Sequence, residues 1–333
     1  MNILLTGGAG YIGTHTAVAL LAASRHVVVF DNFSNSNPSA LAHVEKITGQ
    51  KITLVTGDVR DRALVEDTLR RHSIDSVIHF AGLKAVGESV REPLAYFSNN
   101  CQGTICLLQA MTACGVRSLV FSSSATVYGD PQYLPLDEAH PTSATNPYGR
   151  SKLHIEEMLA DLCHSDSAWS VACLRYFNPV GAHESGLIGE DPQGVPNNLM
   201  PYMARVAMGE LPVLSVFGSD YLTPDGTGIR DYIHVMDLAE AHLAAVGYLT
   251  SHSGWQAINL GTGQGYSVLE MIKAFEAASE QTIPFRLEPR RLGDIAACYA
   301  LPNKAAMLLK WRTRRSLNDM CASTWHFHTR DVV

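Results

Sequence analysis

The start of the chain constrains its fold most. The apolar run Asn2–Thr6 (NILLT) leads straight into a glycine turn, Gly7-Gly8-Ala9-Gly10-Tyr11-Ile12-Gly13, and then into a helical pattern. Gly8, Gly10 and Gly13 satisfy GxGxxG, while Gly7, Gly10 and Gly13 satisfy GxxGxxG. The glycines answer physical demands: a tight turn, a backbone able to approach a pyrophosphate, and close packing of helix on strand. The helix N-terminus beyond them offers free N–H groups and positive potential to an anion. Position matters more than the motif here, because glycine-rich chains carry GxGxxG by chance, but rarely at the first strand–helix junction. Asp31, closing the second apolar run, is the acid expected on a ribose 2′-hydroxyl. No Arg or Lys follows it before Lys46, which favours NAD over NADP.

Short, continuously apolar runs alternate with helical patterns through the first half. Asn2–Thr6, Val27–Phe30, Ile52–Thr56, Ser76–Phe80, Leu119–Ser122 and Val171–Arg175 predict strands buried on both faces. Helices are predicted over about 12–23, 61–72, 94–114 and 148–164, with Asp61 as N-cap of the second. This alternation implies right-handed crossovers and a Rossmann-type, doubly wound parallel sheet. From Asn178 to Arg230 the pattern yields to Gly, Pro and Asn, as in GEDPQGVPNNLMP and TPDGTGIRDY. Regularity returns with a helix over Met236–Tyr248 and a strand over Ala257–Leu260. The fold class is therefore α/β. It comprises a Rossmann domain over 1–177, with returning segments near 231–262, and a smaller, loop-rich α/β substrate lobe over 178–333.

Composition narrows the class of partner. With 46% hydrophobic and 17% charged residues over 333 positions, the chain is no disordered segment. A net charge of −7 offers no basic footprint for nucleic acid. The cysteines at 101, 106, 114, 163, 173, 298 and 321 are odd in number and form no CxxC. A zinc finger and a disulfide framework are both excluded by that spacing, so no metal is expected, and reduced thiols predict a cytoplasmic setting. The start of the chain does not read as a signal peptide. No apolar run approaches the ~20 residues of a membrane helix.

Chemistry gathers at the carboxyl ends of the predicted strands, where ligands bind in such sheets. Asp58 follows the third strand, and Ala81 and Gly82 follow the fourth. Ser122, Ser123 and Ser124 close the fifth, and Pro147-Tyr148-Gly149-Arg150-Ser151-Lys152 opens a helix. Tyr148 and Lys152 are four apart and share a helical face. A tyrosine with a pKa near ~10 is a poor base at neutral pH. A lysine cation alongside, together with an oxidised nicotinamide, is expected to lower that value and favour phenolate. Tyr148 then becomes an acid/base for an alcohol or sugar hydroxyl, with Ser124 relaying the proton or bonding the same oxygen.

The order of these features resembles the extended short-chain dehydrogenase/reductases, most closely the branch that epimerises nucleotide sugars. The likeness runs over nearly the whole chain, through TGGAGYIG, DNFSNS, HFAGLKAVGES, FSSSATVYGD, PYGRSK, RYFNPVGAH, GEDPQGVPNNLMP, DGTGIRDYIHVMDLA and NLGTG. The resemblance implies NAD contacts at Tyr11, Ile12, Asp31, Asn32, Ser36, Asp58, Val59, Phe80, Lys84, Asn99, Tyr148, Lys152 and Phe177. It implies sugar-nucleotide contacts at Lys84, Ser124, Tyr148, Asn178, Asn198, Leu199, Phe217, Arg230, Arg291, Asp294 and Cys298. Arg230 and Arg291 suit a diphosphate, Asp294 suits ribose hydroxyls, and the two asparagines suit neutral groups. The bland alternative for Arg230 is a surface pair with Asp231.

The implied activity is interconversion of UDP-galactose and UDP-glucose by transient oxidation at sugar C4. NAD is held tightly and regenerated each turnover. Two positions vary the pattern: Arg150 stands between the catalytic pair where relatives carry Lys, and Cys298 stands where many carry a larger Tyr. The smaller Cys298 is expected to admit an N-acetyl group, and so UDP-GalNAc and UDP-GlcNAc. A nucleotide-sugar 4,6-dehydratase or decarboxylase would place a carboxylate just before VYG, where this chain has Ala125 and Thr126. A non-catalytic NAD-binding regulator would have no need of the Tyr–Lys pair. The helices near 94–114 and 148–164 are expected to pair across a homodimer.

Overall fold

The computed structural model describes residues 1–330 except 193 and 292. The first six strands are β1 (Asn2–Thr6), β2 (His26–Asp31), β3 (Thr53–Thr56), β4 (Ser76–His79), β5 (Ser118–Ser124) and β6 (Ser170–Tyr176). They are followed by β7 (Asn178–Val180), β8 (Leu214–Phe217), β9 (Ile229–His234), β10 (Gly254–Leu260), β11 (Gly265–Ser267), β12 (Phe285–Glu288) and β13 (Ala297–Cys298). The helices begin with α1 (Tyr11–Ala22), α2 (Ser39–Thr48), α3 (Arg62–Arg71), α4 (Val86–Arg91), α5 (Pro93–Tyr96) and α6 (Gly103–Cys114). Then come α7 (Pro147–Ser165), α8 (Leu199–Ala207), α9 (Val235–Leu249), α10 (Val268–Ser279), α11 (Asn303–Leu308) and α12 (Leu317–Thr329).

The apolar runs make a sheet covered on both sides. Seven strands pair in parallel in the order β3-β2-β1-β4-β5-β6-β10. Successive side chains in a strand face opposite ways. Ile3, Leu5, Val27 and Val29 accordingly join one core with α1 and α9. Leu4, Val28 and Phe30 join the other, with α3, α6 and α7. Each fully buried Leu or Ile contributes about 1.5–3 kcal/mol through water exclusion. The strand order reverses between β1 and β4, and a crevice opens there at the carboxyl ends. Gly7 shows how tightly it is built: its φ is +69°, and a Cβ there would sit 2.6 Å from the Ala81 nitrogen.

A second group of strands stands beside the large sheet. β9 pairs with β7, β11 and β13, while β8 pairs with β12. Their core, with Met203, Met271 and Phe275 at its centre, is closed by α8, α10 and α12. α10 starts where Ser267 and Glu270 each accept the other's backbone N–H, at 3.1 and 2.7 Å, satisfying donors the helix leaves free. β10 lies at the edge of the large sheet, so the chain returns there after β9.

Asp61 caps α3 as its sequence position predicts, accepting from Leu64 N at 3.1 Å. Two readings need correction. The single helix expected over 94–114 is α5, then a π turn at Phe97–Gln102, then α6. The turn delivers Asn100 inward: its Oδ1 accepts from Leu83 N at 2.8 Å, and its Nδ2 donates to Ser151 Oγ at 3.0 Å. The stretch from 178 to 230 is also more regular than its composition suggests, holding β7, α8, β8 and the start of β9. Its glycines at 181, 186, 194, 209, 218 and 226 all have positive φ, so they mark the turns between elements. Among the described residues no helix is long and apolar enough to cross a membrane.

Candidate active site

Around the glycine turn the backbone is left open. α1 has no side-chain cap at Gly10 and no acid in its first turn. A Cβ on Gly10 would meet only Gly7 O, at 3.4 Å. An uncapped helix end facing open space fits the pyrophosphate of a dinucleotide. Gly13 touches the turn itself, since its Cβ would lie 2.7 Å from Gly8 Cα. Asp31 braces this cradle, one oxygen accepting from Ala9 N and the other from Phe33 N and Ser36 Oγ, each at 2.9 Å. Asn32 donates to Asp58 at 3.2 Å. Arg60, missed in the sequence, forks onto Asp58 at 2.9 and 2.7 Å and holds that carboxyl down to about 2.

The other expected cofactor residues spread along the same crevice. Tyr11 donates its hydroxyl to Gly181 O at 2.6 Å, and Ile12 packs on the core beneath α1. Val59 is buried against Gly103. Phe80 lies 4.9 Å from the His242 ring, and Ala81 abuts Gly7. A Cβ on Gly82 would stand 3.8 Å from Lys152 Nζ, which places the end of β4 beside the Tyr148–Lys152 pair. Asn99 is half-buried on the π turn, next to the inward Asn100. Phe177 is buried with Tyr128 and Cys298.

Tyr148 sits in the first turn of α7, whose Asn146 cap accepts from Gly149 N at 2.9 Å. Lys152, one turn on, is buried and donates to Ser122 O at 2.7 Å. Its Nζ lies 5.9 Å from the Tyr148 ring centre and 4.9 Å from that of Phe121. Ser124 Oγ, at the end of β5, accepts from Thr126 Oγ1 at 2.9 Å and hydrogen-bonds the phenol. The expected lowering of the phenol is not what the protein provides by itself. Burial pushes the Tyr148 phenol above its ordinary range, and only the Ser124 bond opposes it. The expectation counted on two cations; the chain supplies one, and burial brings that one, Lys152, down to about 8.

The second set of expected residues includes Asn178 on β7, Phe217 on β8, Arg230 on β9, Cys298 on β13, Asn198 and Leu199 at the start of α8, and Arg291 and Asp294 between β12 and β13. Asn178 begins β7, exposed, and Asn198 stands just ahead of Leu199 at the start of α8, with no capping bond from its side chain. Glu190 binds Lys84 Nζ at 3.0 Å and Asn198 Nδ2 at 2.6 Å through the same oxygen. Arg291 lies 4.8 Å above the Phe217 ring and pairs with Asp294 at 2.9 Å, so these two expected ligand groups hold each other. Arg230 does not pair with Asp231. That carboxylate is buried, accepting from Thr262 N and Oγ1, Gly263 N and Ala300 N at 2.8, 2.6, 3.0 and 3.1 Å. Cys298, opposite Arg230 in the β13–β9 register, is buried and its thiol is pushed up to about 11.

A network behind Tyr148 and Lys152 was not foreseen. Glu156, one turn after Lys152, receives Arg175 Nη2 at 2.6 Å and Nε at 3.0 Å, and also Ser123 Oγ. Arg175 Nη1 reaches Tyr128 Oη at 3.0 Å, and that hydroxyl donates to Asn259 at 2.6 Å. A signal was available: an arginine inside the apolar strand VACLRY needs a buried counter-charge.

Comparisons with known proteins show what the whole chain is similar to. The family described as GDP-mannose 4,6 dehydratase matches residues 4–324. The UDP-glucose 4-epimerase of Bacillus subtilis is 56% identical over 332 residues, covering 100% of this chain and 98% of that one. The solved UDP-glucose 4-epimerase of Stenotrophomonas maltophila, with bound NAD and formylated UDP-arabinopyranose, superposes with a TM-score of 0.98. It is 51% identical and covers 100% of this chain and 99% of its own. That of Bifidobacterium longum, in complex with NAD+ and UDP, gives 0.97 at 53% identity, with 100% and 99% covered.

Proposed function

Since the chain belongs to the UDP-glucose 4-epimerases, within the wider family of nucleotide-sugar dehydratases and epimerases, we propose that Tyr148, Lys152 and Ser124 carry its chemistry. The enzyme interconverts UDP-galactose and UDP-glucose through transient oxidation at sugar C4. Bound NAD supplies the reversible hydride acceptor at that carbon. The sharing of one α7 face by Tyr148 and Lys152, against Ser124 at the end of β5, carries the assignment of roles. Tyr148 takes and returns the proton of the 4-hydroxyl. Ser124 bonds the phenol and holds the same oxygen in place. Lys152, anchored by Ser122 O, keeps a cation beside a phenol that burial otherwise holds protonated. Thr126, where a dehydratase needs a carboxylate, bonds Ser124 instead.

Proton NMR of UDP-galactose with purified protein and no added cofactor tests this. UDP-glucose accumulates to equilibrium with the wild type. A folded, NAD-retaining Tyr148→Phe variant slows at least about a hundredfold, the scale of a lost general acid/base. Undiminished turnover in that variant overturns the assignment.

Arg230, Arg291 and Asp294 are read as groups for the nucleotide diphosphate and ribose, with Lys84, Asn178 and Asn198 toward the sugar. The glycine turn, Asp31, Asp58, Asn99 and Phe177 are read as the cofactor half of the same crevice. Buried Cys298, against Phe177 and opposite Arg230, supports turnover of UDP-GalNAc and UDP-GlcNAc as well. Cys298→Tyr then abolishes the N-acetyl reaction and spares UDP-galactose; an unchanged ratio overturns it. The chain is read as two lobes dividing near 177, with the stretch around 231–262 returning to the first. A second copy of the chain is read as covering an apolar groove of about 580 Å³ that includes Ile105, Leu108, Met158 and Leu162 of α6 and α7. Light scattering gives a dimer mass if so. The free cysteines fit a cytoplasmic setting.

A further inference from the structure

We propose that the Tyr221 hydroxyl is a further nucleotide-binding group, donating to an anionic diphosphate oxygen of the UDP-sugar beside Arg230. This rests on the reading of Arg230 and Arg291 as diphosphate ligands.

Tyr221 lies in the loop between β8 and β9, and the loop is wound around it. Its backbone N donates to Gly226 O at 3.0 Å, and its carbonyl accepts from Thr223 N at 2.8 Å. Gly218, with φ +83°, leaves the space the ring fills, and a Cβ there would collide with it. The Arg290 guanidinium covers the ring at 4.1 Å and is itself fixed to Asp220 at 2.7 Å. The ring is therefore seated and only 7% exposed.

The hydroxyl at the end of this ring is the anomaly. It is buried and has no hydrogen-bond partner among the described residues. A buried hydroxyl without a partner is costly, so a position where Phe would pack equally well calls for another reason to carry Tyr. Its surroundings supply one. Arg230, Arg290, Arg291 and Asp294 are the charged groups that act on it. Arg290 is paired with Asp220 and Arg291 with Asp294. Arg230 makes no ion pair among the described residues; its Nη1 donates to Ile229 O at 2.8 Å. A donor without an acceptor, within electrostatic reach of a guanidinium that has no counter-ion among the described residues, is complementary to a phosphate oxygen.

The test compares Tyr221→Phe with Arg230→Gln in the NAD-loaded enzyme, by calorimetric titration of UDP and of uridine. Tyr221→Phe is expected to weaken UDP about tenfold and to raise the UDP-galactose KM to match, with kcat within about twofold. Uridine, which has no phosphate, is expected to bind as in wild type. The unliganded Tm is expected to stay or rise, because the change removes only a buried hydroxyl without a partner. Wild-type UDP affinity in Tyr221→Phe, with a loss in Arg230→Gln, overturns the inference and leaves the diphosphate reading standing; the hydroxyl then holds water. Wild-type affinity in both variants overturns the diphosphate reading itself. A fall in Tm or equal losses for UDP and uridine make the hydroxyl structural, which also overturns the inference.

Discussion

Behind Tyr148 the buried charges are answered from within the chain. Arg175 and Glu156, 5% and 2% exposed, hold each other and reach β5, Tyr128 and β10. Across the crevice the polar groups are held loosely or left waiting. Arg290 and Arg291 pair with half-exposed geometry, and among the described residues Arg230 has no carboxylate and Tyr221 no acceptor. The two walls do different work. Moving one proton reproducibly needs atoms fixed before substrate arrives. Holding a sugar nucleotide that must present both faces of its hexose needs groups whose preferred partner is the ligand.

If the catalytic side depends on buried, satisfied groups, acid undoes it first. Burial holds the imidazole of His79 down to about 3 and that of His242 to about 4. Their folded values are depressed, so the unfolded chain binds more protons once pH falls below ~6.5. Stability is complete above that pH and declines as pH falls toward 4, by about 2 kcal/mol per histidine at pH 5. Calorimetric Tm is expected to drop steeply between pH 6.5 and 4.5, and His242→Gln to flatten the slope by one proton's share. A Tm flat to pH 5 breaks the comparison.

The next expected effect sets the two kinds of ion pair side by side. Glu156→Gln leaves Arg175 buried without its counter-charge and is expected to cost about 3–5 kcal/mol. Asp220→Asn breaks an exposed pair, and denaturant unfolding is expected to show almost no change. Equal losses would mean that the difference between the walls is only one of appearance.

How much of this was legible in the sequence follows the same division. Local rules found the strands, the glycine turn, the Asp61 cap and the Tyr148–Lys152 face, because each depends on residues close in the chain. The π turn escaped, since the partners that draw Asn100 inward, Leu83 and Ser151, lie 17 and 51 residues away. The Glu156–Arg175 pair spans 19 residues, but its meaning depends on β5, β6 and β10 being neighbours. β8, β9 and α8 were hidden by turn glycines that composition alone reads as loop. The effect of burial on Tyr148 and Lys152 was hidden for a different reason. Spacing shows that a lysine is near, but not that both groups are dehydrated.

Glu190 gives the smallest effect and the sharpest test of the waiting wall. One of its oxygens holds both Lys84 and Asn198, two groups read as sugar-nucleotide ligands, while the other is buried with no partner among the described residues. A carboxylate there competes with an anionic ligand for Lys84, whose side chain is 54% exposed, so solvent screens much of the pair. Glu190→Gln keeps an acceptor for both donors and removes the charge. The KM for UDP-galactose is expected to fall about twofold to threefold, the change shrinking as salt is added, with kcat unaltered. If KM rises instead, Glu190 is positioning Lys84 and Asn198 for the sugar nucleotide, and that part of the wall is fixed before binding just as the catalytic side is.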